Sequence, residues 1–245
     1  MSSSVGQLIT TTINNESLLM SFFGINQIDL KEENDFAFLS SEEKRINSHY
    51  AYKRQKEFAL GRYCAKKALQ QLLVEEIAFD SLTIGKGKSG EPIVEGKLGE
   101  DYHVSISHSE QMIVALACPK KVTLGIDIEH FNDDYCKDIY NILTREEKTL
   151  IKRVTLCENS ALYALWVAKE SLAKALKTGF NLPLSDFEIN KFEEKDGIIL
   201  KAKKYPDLYT IVLIVEDWIL SISTENSVYI NTSEISQTVK KIVSG

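Results

Sequence analysis

Two stretches of this chain copy one another at a nearly constant distance. Phe38-Leu39-Ser40-Ser41-Glu42-Glu43-Lys44 is echoed 104 residues on by Ile142-Leu143-Thr144-Arg145-Glu146-Glu147-Lys148. In each copy a hydroxyl residue, Ser40 or Thr144, stands three places before a glutamate, Glu43 or Glu147, which is the spacing of a helix capping box. Arg62 to Leu69 resembles Lys169 to Leu176 at an offset of 107, and Glu110 to Leu116 resembles Glu216 to Ile222 at an offset of 106. Offsets this similar point to a duplicated unit, whose pseudo-twofold junction is the expected place for a ligand pocket.

Within each copy the patterns run short helix, long helix, strands. Phe58, Ala65, Leu69, Leu72 and Leu73 form one apolar helical stripe, and Leu162, Leu165, Trp166, Leu172, Ala173 and Leu176 form the other. Alternating β-branched segments predict strands at Leu82–Lys86, Tyr102–Ser107 and Met112–Cys118 in the first half. The second half has them at Phe187–Phe192, Ile198–Lys203, Thr210–Glu216 and Trp218–Thr224. Thr123–Glu129 reads as the strand joining the halves, and the residues from Asn231 onward as a loosely held tail. The expected fold class is α+β: a pseudo-dimer of two similar halves, 1–121 and 122–245, each a long helix packed on an antiparallel sheet.

Composition narrows the class. The 245 residues are 44% hydrophobic and 26% charged with a net charge of −6, enough chain for a sizeable core and no general basic surface for nucleic acid. No apolar run of about 18 residues and no signal-like N-terminus is present, so a cytoplasmic protein without membrane association is expected. Cys64, Cys118, Cys136 and Cys157 show neither metal-site nor disulfide-framework spacing.

Four segments look chemical. In Gly125-Ile126-Asp127-Ile128-Glu129 the strand period sends Asp127 and Glu129 to one face, Cα atoms roughly 6.6 Å apart, and Ile126 and Ile128 to the other. That pair fits Mg²⁺, and it fits equally a solvated acidic edge. In Trp166-Val167-Ala168-Lys169-Glu170-Ser171-Leu172-Ala173-Lys174, Glu170 and Lys174 share a helix face, as an ordinary surface ion pair would. Lys169 falls on the apolar stripe instead, where an unpaired ammonium is costly and a bound anion would resolve the conflict. Arg54, Arg62, Lys86 and Lys88, with the glycines around Gly90-Glu91-Pro92, have the chemistry of a phosphate cradle, or of a solvated helix and hairpin turn. Ser105-Ile106-Ser107-His108 ends a strand with hydroxyls on alternate positions, where Ser107 and His108 could meet a phosphate.

Taken in this order, the motifs resemble the 4′-phosphopantetheinyl transferases of the Sfp/EntD type over residues 36–224. The resemblance implies transfer of the 4′-phosphopantetheine arm of coenzyme A to a serine of an apo acyl or peptidyl carrier protein, with release of adenosine 3′,5′-bisphosphate. It implies Mg²⁺ on Asp127, Glu129 and Glu170, Glu170 as general base, and Lys174 as the residue stabilising phosphate charge. Arg54, Arg62, Lys86, Gly90, Glu91, Pro92, Ser107, His108 and Lys169 would contact the coenzyme. A monomer serving secondary-metabolite or siderophore synthases is implied as well. The readings from other classes are a Mg²⁺-dependent phosphohydrolase or nucleotidyl transferase, and a noncatalytic coenzyme A-binding module.

Overall fold

Both hydroxyl–glutamate pairs cap helices as their spacing predicts. In the computed structural model, which describes residues 3–13, 16–26, 36–195 and 197–244, Ser40 Oγ accepts the Glu43 N–H and Glu43 returns a carboxylate oxygen to the Ser40 N–H at 2.8 Å. Thr144 and Glu147 repeat the arrangement, with the return bond at 2.9 Å.

The described residues open with a hairpin of β1 (Ser3–Ile13) and β2 (Glu16–Asn26), a stretch in which the sequence pattern predicts no element. The helices α1 (Ser41–Asn47) and α2 (Tyr52–Gln70) follow, then β3 (Ile84–Lys86), β4 (Pro92–Val94), the turn α3 (Leu98–Asp101), β5 (Tyr102–Ser109), β6 (Met112–Pro119) and β7 (Leu124–His130). The remainder runs α4 (Cys136–Ile142), α5 (Arg145–Ile151), α6 (Glu158–Ala175), β8 (Ile189–Lys195), β9 (Gly197–Ala202), β10 (Leu208–Val215), β11 (Trp218–Glu225), β12 (Val228–Tyr229) and α7 (Thr232–Ser244). One antiparallel sheet has the order β12-β1-β2-β6-β5, the other β7-β11-β10-β9-β8, and β3-β4 stands apart as a two-stranded hairpin.

Alternation along β6 shows how the layers stack. Ile113, Ala115 and Ala117 face Ala59, Cys64 and Ala65 of α2, whereas Met112, Val114 and Leu116 enter a core shared with Ile126, Ile128, Leu220 and Ile222 of the second sheet. On the far side α6 covers the second sheet through Leu162, Leu165 and Leu172. The order is therefore helix, sheet, sheet, helix, with one apolar core common to both halves.

The C-terminal residues are not a loose tail. Ile235, Val239 and Ile242, at the i, i+4, i+7 spacing of one helix face, are buried in that shared core, and α7 packs on β1, β2 and β10.

The repeat extends further than the sequence reading took it. Glu110 and Glu216, which open the matching hairpin turns, both adopt positive φ, 48° and 55°. Ala115 lies opposite Phe23, and its repeat mate Ser221 lies opposite Asp127; likewise Ile113 faces Ile25 and Ile219 faces Glu129. So β7 is no joining strand but the counterpart of β2, and the carboxylates of one half are Phe23 and Ile25 in the other. Only one half can build a carboxylate site.

The long helices also align differently from the sequence expectation. Lys66 Nζ lies 2.5 Å from Glu43 and donates to the carbonyls of Phe38 and Phe79. Lys169 Nζ lies 2.7 Å from Glu147 and donates to the carbonyl of Leu184. All four side chains are fully buried, and the same glutamates accept the N–H groups of Ile84 and Ile189 at 2.8 Å. Lys66, not Arg62, is the mate of Lys169. The true alignment lies one helical turn from the expected one because an apolar stripe repeats every three to four residues and looks nearly the same after each turn.

Candidate active site

Asp127 and Glu129 leave β7 on the side of α6, since Ile126 and Ile128 are committed to the shared core. The helix comes unusually close at this point. A Cβ on Gly125 would lie 2.0 Å from the Ser171 carbonyl oxygen and 2.4 Å from Ala175 N, so only glycine permits the contact. Its mate on β2 by the sheet registers is Ser21, whose hydroxyl still finds room to bond Gln71 at 2.5 Å. The closer approach in the second half places Glu170 and Lys174, one turn apart on α6, against the carboxylate strand.

Lys174 Nζ lies 2.7 Å from Asp127 Oδ1 and 2.8 Å from Ser107 Oγ. Three serines of β5 stitch the two sheets here, where β5 and β7 are edges of different sheets. Ser105, Ser107 and Ser109 accept the N–H groups of Ile126, Ile128 and His130 at 3.1, 3.3 and 3.2 Å. Ser107 also donates to Asp127 Oδ1 and Ser109 to Glu129 Oε2, both at 2.8 Å. Asp127 Oδ2 is buried with no partner among the described residues.

Burial pushes the Glu129 carboxyl up to about 7, with the Asp127 charge adding to it. Glu170 is raised for the same two reasons, burial first and Asp127 second. Three mutually repelling carboxylates thus share one ammonium, and the chemistry of that donor set is hard oxygen suited to a divalent cation. Among the described residues no three His, Cys, Asp or Glu side chains stand in ligating geometry, and Lys174 holds one oxygen of Asp127.

Two cavities flank the carboxylates and share Trp166 and Leu184 as a wall. The first, of about 480 Å³, lies where the β3–β4 hairpin stands apart from β5, whereas in the other half β9 stays paired to β10 and β8 to β9. Arg54, Lys86, Gly90, Glu91, Pro92, Glu170 and Lys174 line it, as does Lys177, which the sequence reading passed over. The second, of about 560 Å³, is bounded by Glu129, Tyr135, Ile139, Ile142 and Tyr163.

The structure brings most of the expected residues together but removes two. Lys169 is not free for a coenzyme phosphate: the anion that offsets its burial is Glu147 of the same chain. Arg62 donates to the carbonyls of Ile84 and Gly85 at 3.2 Å and stacks on Phe58, bracing β3 outside the cavity. Ser107 is spent on Asp127 and Lys174, and His108 Nε2 lies 3.2 Å from Arg54. Ser109 was missed as a holder of Glu129, although the alternation of Ser105 and Ser107 extends to it.

Fold and site together describe a duplicated α+β chain with a carboxylate–lysine cluster built into one half, beside a cavity lined by basic side chains. A family model described as the 4′-phosphopantetheinyl transferase superfamily matches residues 123–223, and one described as the 4′-phosphopantetheinyl transferase N-terminal domain matches residues 41–118. The chain is 28% identical over 188 residues to the 4′-phosphopantetheinyl transferase gsp of Aneurinibacillus migulanus, covering 74% of each chain. It is 37% identical over 98 residues to a holo-acyl-carrier-protein synthase of Geobacillus sp. (strain WCH70), covering 37% of this chain and 82% of the relative. Among solved structures, the holo-acyl-carrier-protein synthase of Thermotoga maritima aligns with 54% of this chain and 74% of its own at TM-score 0.30 and 21% identity. This chain belongs to the 4′-phosphopantetheinyl transferase superfamily, and it is a transferase of phosphopantetheine to carrier protein.

Proposed function

We propose that coenzyme A is the donor and that the reaction is centred on Asp127, Glu129, Glu170 and Lys174. The observation that carries this reading is Asp127 Oδ2, buried with no partner among the described residues, beside two carboxyls whose pKa burial raises. Such a site calls for a cation of higher charge than one lysine, and Asp127, Glu129 and Glu170 would hold Mg²⁺ once Lys174 turns from Asp127 towards the substrate. Bound there, Mg²⁺ would offset charge on the pyrophosphate of coenzyme A.

Arg54, Lys86 and the Gly90–Pro92 turn receive the nucleotide end in the first cavity, with His108 supporting Arg54. Glu170 takes the proton of the carrier serine as its oxygen bonds to the phosphorus bearing the pantetheine arm. The bond from that phosphorus to the adenosine 3′,5′-bisphosphate oxygen breaks, and Lys174 stabilises the charge that gathers on the leaving phosphate.

The acceptor is an acyl or peptidyl carrier protein, approaching over 131–160 beside the second cavity, whose rim exposes Tyr135 and Ile142. Arg145, Lys148, Lys152 and Arg153 are the charges there that would steer an acidic carrier. We place the enzyme in the cytoplasm as a monomer without nucleic-acid partners, serving secondary-metabolite or siderophore synthases. Among the described residues no helix is long and apolar enough to cross a membrane. Mass spectrometry of apo carrier proteins incubated with coenzyme A and Mg²⁺ tests the reading. It requires one added arm per carrier and bisphosphate release only when a carrier is present; release without carrier would favour a hydrolase.

A further inference from the structure

α6 ends in a left-handed cap that lacks the residue such a cap favours. Lys177 N–H bonds the Lys174 carbonyl and Thr178 N–H the Ala173 carbonyl, both at 3.1 Å, the crossed pair of bonds that terminates a helix through a left-handed residue. That residue is Lys177, at φ 55°. Glycine is usual there because a Cβ is strained in this region. The other two non-glycine residues of positive φ, Glu110 and Glu216, sit in hairpin turns away from any such cap.

The place where the strain is tolerated is informative. Two residues on, Gly179 brings the chain so near the β3–β4 turn that a Cβ would lie 2.6 Å from the Ser89 carbonyl oxygen, and Asn181 bonds Ser89 Oγ at 3.1 Å. The cap is thereby pinned to the hairpin at the wall of the first cavity, which Lys177 lines from the α6 side and Lys86 from the hairpin side. Neither ammonium has an ionic or hydrogen-bonding partner among the described residues. Arg54 and Lys174, the other cations of the cavity, are already paired with Glu57 and Asp127. Lys177 also bears on His103 and Cys118, buried at the start of β5 and the end of β6: it adds to the burial that lowers the His103 pKa and opposes the burial that raises that of Cys118. Its charge therefore stands towards the end of the cavity remote from Glu129.

We propose that Lys177 binds a phosphate group of the nucleotide coenzyme, closing on it from α6 opposite Lys86, and that the strained cap is retained for this contact. The proposal rests on the coenzyme reading given above. A charge-assisted contact of this kind changes affinity without entering the phosphoryl transfer itself.

The test exploits the cap. Lys177→Gly removes both the ammonium and the strain, so it should raise Tm by about 1–3 °C while weakening coenzyme A about tenfold. Both quantities are read without carrier protein, by calorimetric titration and thermal unfolding. Lys177→Arg, which restores the charge, should bind within about threefold of wild type. Repeating the titrations with dephospho-coenzyme A identifies the phosphate: a loss confined to coenzyme A marks the 3′-phosphate, a loss common to both ligands the pyrophosphate, and either supports the proposal. Wild-type affinity in Lys177→Gly would overturn it, as would a loss accompanied by a lower Tm and not restored by arginine. Failure of the wild-type protein to bind coenzyme A at all would instead overturn the coenzyme reading on which the proposal stands.

Discussion

Lys174 Nζ lies 2.7 Å from Asp127 Oδ1, while the other oxygen of that carboxylate is buried without a partner among the described residues. The lysine is an internal cation covering half of a site that carries three carboxylates. Asp127→Asn keeps the shape and removes the charge. It should lower transfer by about three orders of magnitude, abolish Mn²⁺ binding measured by electron paramagnetic resonance, and leave Tm within about 3 °C of wild type. Near-normal turnover at limiting Mg²⁺ would make the metal assignment wrong.

The raised carboxyls give the metal-free protein a pH signature. Glu129, held up to about 7 by burial and Asp127, binds a proton in the folded state that it has already released in the unfolded chain over the interval from about 4.5 to 7. Its contribution to stability is full below the unfolded value and is lost as pH rises through about 7; Glu170, raised by the same causes, acts in the same direction. In chelator-treated protein, urea midpoints of wild type should therefore fall relative to those of Glu129→Gln between pH 5 and 8. Mg²⁺, which favours the ionised carboxylates in the folded state, should reduce that fall. Parallel curves throughout would show that Glu129 is not perturbed.

The two buried lysine–glutamate pairs should behave alike although only one adjoins the active site. Removing one partner leaves a lone buried charge, so Lys66→Ala and Lys169→Ala should each cost about 3–5 kcal/mol in denaturant unfolding. The paired replacement of Lys169→Met with Glu147→Leu should recover only part of that cost, because the N–H groups of Thr144 and Ile189 lose their acceptor, and should leave coenzyme A affinity unchanged. A selective loss of coenzyme A affinity in a folded Lys169→Met protein would return Lys169 to the phosphate site.

Gly125→Ala is expected to separate the strand from the catalytic helix, since the added methyl would meet backbone atoms of Ser171 and Ala175. Destabilisation of about 3 kcal/mol or more should accompany a fall in kcat larger than any rise in KM for coenzyme A, because Glu170 and Lys174 move while the hairpin side of the cavity does not. Gly96→Ala supplies a control, as its Cβ meets nothing within 4 Å although its φ of 69° adds some backbone strain.

Local patterns carried much of this protein. The capping boxes at Ser40 and Thr144, the alternation that puts Asp127 and Glu129 on one side of β7, and the helical spacing of Glu170 and Lys174 all follow from neighbours within one turn or one strand period, so residue order alone determines them. Which lysine of α2 answers to Lys169, what neutralises Lys169, and where Arg62 points were decided only by the tertiary structure. Helical stripes are degenerate by one turn, and a buried charge selects its partner by proximity in space: Glu43 and Glu147 lie more than twenty residues from the ammonium groups they hold. The same holds for Lys177. Its order in the chain marks it as one more basic residue after a helix, and only the left-handed cap pinned against Ser89 places its ammonium in the cavity, because backbone conformation and the approach of a distant hairpin together set that position.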